Sequence, residues 1–211
     1  MPGGRFITFE GGEGAGKSTQ ARRLAERLKA RGVDVALTRE PGGAPSAEAI
    51  RELLVHGETG RWEPMSEALL HIAARVEHLA KTVRPALEAG RWVISDRYID
   101  STRIYQGIVQ GVGIERIDEL HALTLDGVMP DRTLILDLPV DEGLARAASR
   151  IGEGEDRYER MGRAFHESLR AGYRQLARSE PERCCLIDAS VEADAVAARV
   201  WKDVAPLLEA V

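Results

Sequence analysis

Between Phe9 and Thr19 the chain reads Phe-Glu-Gly-Gly-Glu-Gly-Ala-Gly-Lys-Ser-Thr, and this segment narrows the possible folds more than any other. The pattern G-x-x-x-x-G-K-[ST], here Gly11 to Ser18, carries meaning in one context: a tight loop that leaves a buried strand and opens a helix. Both flanks supply that context. Phe6 to Glu10 is a short apolar run ending in glycines, which predicts a strand. From Ser18 to Arg31 the period changes, with Ala21, Leu24, Ala25 and Leu28 at helical spacing and Gly32 where a left-handed cap is wanted. Glycines let successive backbone N–H groups turn inward, and the helix start adds the positive end of its dipole. The residues Gly11, Gly12, Glu13, Gly14, Ala15, Gly16, Lys17, Ser18 and Thr19 therefore predict a cradle for the phosphates of a nucleoside triphosphate. Lys17 would lie along the β- and γ-phosphates, and Ser18 would offer its hydroxyl to Mg²⁺.

The alternation continues beyond the loop. Val33 to Thr38, Trp92 to Ser95, Thr133 to Leu138 and Cys184 to Ile187 are further strand candidates separated by helical stretches, which predicts an α/β fold with a parallel sheet covered on both faces. A chain of 211 residues without repeats or low-complexity tracts fits a single domain spanning 1–211. Arg150 to Arg157 has two glycines, many charges and little to bury, so a mobile loop is expected there. Cys184 and Cys185 are strand neighbours pointing to opposite faces, which disfavours a structural disulfide. The net charge of -5 argues against coating a nucleic-acid backbone. Neither a signal pattern nor an apolar run of about 18 residues appears, so a cytoplasmic protein without a membrane span is expected.

The class of chemistry follows from what stands near the loop. The chain contains no asparagine, so the guanine-reading Asn-Lys-x-Asp motif cannot occur. The third strand ends in Asp96-Arg97-Tyr98 rather than in an Asp-Glu pair. Asp96 can hold the hydration shell of Mg²⁺. Arg97 places a fixed cation beside it, of most use where donor and acceptor phosphates repel each other and must be bridged.

With these motifs the chain resembles the thymidylate kinases, P-loop nucleoside monophosphate kinases that phosphorylate dTMP with ATP. The resemblance runs through Thr38 to Gly43 (Thr-Arg-Glu-Pro-Gly-Gly), Ser95 to Thr102, Tyr105 to Gly107 (Tyr-Gln-Gly), Pro130 to Thr133 and Asp156 to Glu159 (Asp-Arg-Tyr-Glu). It implies a P-loop NTPase fold, a three-layer α/β/α domain with a five-stranded parallel sheet and a short mobile lid at approximately 150–158. ATP with Mg²⁺ would be held by the loop, by Ser18 and by Asp96. Arg97 would bridge the phosphates, with Arg51 and the segment of Glu40 and Pro41 on the acceptor side together with Ser101 and Thr102. Arg75 and Gln106 would read the thymine edge, and Tyr105 would pack under the deoxyribose and crowd out a 2′-hydroxyl. Glu13 would face the acceptor sugar. Ala15 leaves neutral a position that is basic in some members, so lid arginines, Arg150 and Arg157, would close over ATP. A homodimer formed through the long helix carrying His71 is also implied.

Three positions depart from the family pattern. His71 stands where a phenylalanine usually stacks on thymine, Arg103 where a small or apolar residue is usual, and Gln110 where arginine is common. Imidazole can stack too, with less area. Two alternatives remain open on sequence: another deoxynucleotide or deoxynucleoside kinase of this fold, and a non-catalytic nucleotide-binding homologue. The first would need a carboxylate base after the second strand, where Arg39-Glu40-Pro41-Gly42 stands. The second would be favoured by loss of Lys17, Ser18, Asp96 or Arg97, all of which are present.

Overall fold

Five parallel strands form one sheet in the order β2-β3-β1-β4-β5: β1 (Phe6–Gly11), β2 (Val35–Arg39), β3 (Trp92–Asp96), β4 (Arg132–Asp137) and β5 (Cys184–Asp188). The computed structural model describes residues 3–149 and 156–209. Helices α1 (Lys17–Lys29), α2 (Pro45–Val55), α3 (Pro64–His78), α4 (Arg84–Glu88), α5 (Ile99–Thr102), α6 (Ile114–Thr124), α7 (Val140–Ala148), α8 (Asp156–Glu159), α9 (Arg163–Ser179), α10 (Ala193–Val204) and α11 (Pro206–Glu209) surround it. Two π-helical turns, Leu79–Val83 and Arg103–Val109, continue α3 and α5. The expected strands are all present, with bounds shifted by a residue or two.

Alternate side chains of each strand serve opposite layers. Ile7 and Phe9 of β1 join Leu24, Ala25 and Leu28 of α1 and Val196, Val200 and Val204 of α10 in one core. Phe6 points the other way, to Leu79, Val83 and Tyr98, and Ile135 of β4 meets Leu169, Tyr173 and Leu176 of α9. Each large apolar side chain so buried contributes about 1.5–3 kcal/mol. The second face also carries polar residues with no access to solvent: Thr8, Glu10 and Thr133. They are satisfied within the protein, beginning with the 2.9 Å bond between the hydroxyls of Thr8 and Thr133.

Close backbone approach explains the glycines that seat the first loop. A Cβ on Gly14 would lie 1.9 Å from the carbonyl oxygen of Gly143 in α7, and one on Gly143 would lie 2.5 Å from the carbonyl oxygen of Glu13. The loop therefore rests directly on α7.

Arg103 has a structural explanation. It grips Asp118 of α6 through two bonds of 2.9 and 3.2 Å, and reaches Glu180 beyond α9 at 2.7 Å and the buried Asp100 at 3.3 Å. It thus pins the segment after β3 to both neighbouring helices. Cys184 and Cys185 are both free. No helix among the described residues is long and apolar enough to cross a membrane.

Candidate active site

The carboxyl ends of β1, β3 and β4 converge where an open parallel sheet binds its ligands, at the reversal of strand order. The loop from Gly11 to Ser18 leaves β1 there and enters α1. The Lys17 ammonium lies back over the loop, donating to the carbonyls of Gly12 at 2.7 Å and Gly11 at 3.2 Å. The Ser18 hydroxyl donates to the Asp96 carboxylate, bringing two hard oxygen donors from β3 and α1 into contact. Such a pair suits Mg²⁺.

Arg97 occupies the boundary between the loop and a second cavity. Its backbone has φ +71°, a strained conformation for a residue with a side chain, costing on the order of 1 kcal/mol. Two bonds hold it: its N–H donates to Phe9 at 2.9 Å, and its carbonyl accepts from the Ser95 hydroxyl at 2.8 Å. The guanidinium donates to Glu13 Oε1 at 2.6 Å, to the hydroxyls of Tyr105 and Ser101 at 3.1 Å each, and to the Gly11 carbonyl at 3.3 Å. Burial alone would raise the Glu13 pKa, but Arg97, Lys17 and the Tyr105 hydroxyl outweigh it and hold the carboxyl down at about 2. The Lys17 pKa is lowered, by burial and by the neighbouring Arg97. Two cations set against each other at a cleft favour an anionic ligand.

His71, Arg97, Ser101, Tyr105, Gln106 and Tyr158 line the second cavity, with Glu13, Pro41 and Val55 completing it. His71 Nε2 is 2.9 Å from the Tyr158 hydroxyl, and burial lowers its pKa to about 4, so the ring is neutral. The tyrosines stack edge to face, Tyr105 on Tyr158 at 5.6 Å and on Phe165 at 5.9 Å. Glu40, Arg51, Arg75 and Thr102 do not line it; of these Glu40, Arg75 and Thr102 are buried.

Arg75 departs from expectation most clearly. Rather than facing the cavity to read a base, its buried guanidinium donates to Glu40 at 2.7 Å, the Tyr98 carbonyl at 3.0 Å and Thr102 at 3.1 Å, and meets His121 Nε2 at 3.0 Å. Glu40 in turn holds His78 at 2.8 Å, and His78 reaches Thr38 at 2.7 Å. A buried carboxylate takes its cations first, because an unpaired one costs several kcal/mol. Arg51 donates to the Pro41 carbonyl at 2.6 Å, fixing that segment against α2.

Arg157 is the second correction. It was expected to close over ATP; instead it is buried, paired with Glu67 and donating to the carbonyls of Leu54 at 3.0 Å, Glu58 at 3.2 Å and Thr59 at 3.3 Å. Its neighbour Tyr158 lines the second cavity, but Arg157 itself does not. Arg150 and residues 150–155 of the lid expected at approximately 150–158 lie outside the described residues. Ala15 is packed into the core beneath α10 and borders a groove along Gly14, Gly16 and Thr19. Arg146 of α7 reaches that groove, anchored to the Ala189 carbonyl at 3.2 Å.

Sequence reading did not single out Arg146, Tyr173, Tyr158, Glu67 or Glu10. The last two left a trace. Glu10 ends an otherwise apolar strand, and Glu67 lies one helical turn before His71. Glu10 accepts from the N–H groups of Tyr98 at 2.9 Å and Ser101 at 3.2 Å, and from the hydroxyls of Ser101 at 2.7 Å and Tyr173 at 2.8 Å. It fixes the turn that carries Arg97. Burial and the charge of Asp100 raise its pKa to about 7.

Known proteins resemble this chain along most of its length. The thymidylate kinase family model matches residues 9–200. The thymidylate kinase of Caulobacter vibrioides is 56% identical over 200 residues, covering 95% of each chain. That of Rhizorhabdus wittichii is 51% identical over 208 residues, covering 99% of this chain and all of its own. The crystal structure of thymidylate kinase from Ehrlichia chaffeensis superposes with a TM-score of 0.76 at 38% identity, covering 96% of this chain and 99% of that one. The family model over residues 9–200 and relatives 51–56% identical along nearly the whole chain make this chain a member of the thymidylate kinase family.

Proposed function

We propose that the chain transfers the γ-phosphoryl group of ATP to dTMP, giving ADP and dTDP for dTTP synthesis. The observation that carries this reading is the position of Arg97, bonded at once to Gly11 of the phosphate loop and to Ser101 and Tyr105 of the second cavity. ATP binds along the loop with its base toward the groove of Arg146. The monophosphate binds in the cavity of His71 and Tyr105. Its phosphate oxygen attacks the γ-phosphorus in line and ADP leaves, so the protein's task is positioning and charge neutralisation. Lys17 and Arg97 supply fixed cations to the two phosphates. Glu13 orients Arg97 and closes the sugar side of the cavity. Ser18 and Asp96 are the residues that would hold Mg²⁺, which when bound neutralises phosphate charge.

The partners proposed are these small-molecule nucleotides, in a cytoplasmic setting, with no nucleic acid or membrane. A second copy of the chain is also proposed: Met65, Leu69 and Val76 of α3 are exposed and fall within a narrow stripe of the helix, a face suited to a homodimer. Light scattering tests the dimer, and a monomeric mass at micromolar concentration would remove it. The activity is tested by ADP release with ATP and Mg²⁺ against dTMP, dUMP, UMP, CMP and AMP. The highest kcat/KM is expected for dTMP; turnover of AMP or CMP without dTMP would overturn the reading.

A further inference from the structure

Behind the second cavity Glu67 has no solvent access. Four side-chain donors from two segments converge on it. Gln106 Nε2 lies 2.7 Å, the Tyr158 hydroxyl 2.9 Å and Gln110 Nε2 2.9 Å from its Oε1, while Arg157 pairs with Oε2. The bond and the charge of Arg157, with the bond from Gln110, keep Glu67 ionised against its burial. An ionised carboxylate only accepts. That fixes the polarity of each group around it. Gln106 must present its amide nitrogen to Glu67, which turns its carbonyl oxygen away from that contact. The Tyr158 hydroxyl spends its proton on Glu67, so its oxygen accepts from His71 Nε2–H.

We propose that Glu67 is a positioning residue that sets the hydrogen-bond polarity of the base pocket, holding Gln106 with its carbonyl oxygen available to the ligand. A pyrimidine with a ring N–H beside a carbonyl then finds an acceptor, whereas one with a bare ring nitrogen beside an amino group meets like against like. This deepens, and rests on, the reading of the cavity as the dTMP site. It also gives Gln110 a role, as one of the donors that keep the carboxylate buried and charged.

The test is a double-mutant cycle read as the ratio of kcat/KM for dTMP to that for dCMP. Glu67→Gln places an amide that can turn its own N–H toward Gln106 and let it flip. The ratio is expected to fall about tenfold or more, the scale of one misplaced buried hydrogen bond, with the KM for ATP unchanged. Gln106→Leu removes the group whose polarity is set, and adding Glu67→Gln in that background is expected to leave the ratio where it stands. An unchanged ratio in the single variant, or an equal fall in both backgrounds, overturns the proposal. Should Glu67→Gln not fold, neutron diffraction of the unaltered chain with dTMP decides the same point: amide deuterons of Gln106 toward Glu67 support it, and its carbonyl toward Glu67 refutes it. Failure of the unaltered chain to phosphorylate dTMP would count against the proposed function instead.

Discussion

The phosphate loop and the base cavity lie on either side of Arg97, yet they are built differently. The loop is made of backbone: glycines at close approach to α7, N–H groups at a helix start, and one lysine a few residues from its partners. The cavity is backed by buried charges whose partners come from far along the sequence, Glu40 with Arg75 at 35 residues and Glu67 with Tyr158 at 91. A backbone site tolerates neighbours but not a misplaced Cβ. A network site tolerates shape changes but not the loss of one partner.

That difference orders the expected effects of substitution. Arg97→Ala touches both sites and is expected to lower kcat on the order of 10³-fold, with Arg97→Lys rescuing little because a point charge cannot replace the fork. Single-turnover kinetics reads it, and a loss confined to KM would mean that Arg97 only binds substrate. Lys17→Ala should cost about 10²–10³ in kcat while leaving dTMP binding intact by calorimetry. Weakened dTMP binding there would break the separation of the two sites. His71→Ala should weaken dTMP binding about tenfold, and His71→Phe should keep or tighten it. Equal affinities for all three forms would show that the ring does not touch the base. Gly14→Ala should lower stability by about 1–3 kcal/mol in chemical denaturation, since the loop must lift from Gly143. No loss would mean the loop is looser than described.

The cavity also makes a prediction about pH. His71, held neutral by burial, should titrate near 4 rather than 6.5. The unfolded chain binds that proton more readily, so the associated stability is complete above about pH 6.5 and is lost as pH falls toward 4. Imidazole ¹⁵N shifts followed against pH measure it; a midpoint near 6.5 would place the ring in solvent.

Sequence alone carried the loop, the alternation of strands and helices that predicts a parallel sheet, and the Asp96–Arg97 step, because each depends on neighbours within a few residues. Tyr105, Gln106 and His71, expected at the acceptor, line the cavity, whereas Arg75 and Arg157, also expected at ligands, are held here by Glu40 and Glu67. Their partners here, Glu40 and Glu67, come from distant segments; nothing local distinguishes an arginine that meets a ligand from one that neutralises a buried acid. Glu67 and Glu10 escaped notice because a lone acid in a helix or at a strand end reads as solvated, and only packing reveals that it is buried.

The most direct test of the account is transfer from [γ-³²P]ATP with Mg²⁺, with and without dTMP, resolved by chromatography. Label appearing in dTDP, with negligible release of phosphate when dTMP is omitted, is the predicted result; phosphate released at the same rate without dTMP, and no labelled dTDP, would contradict it.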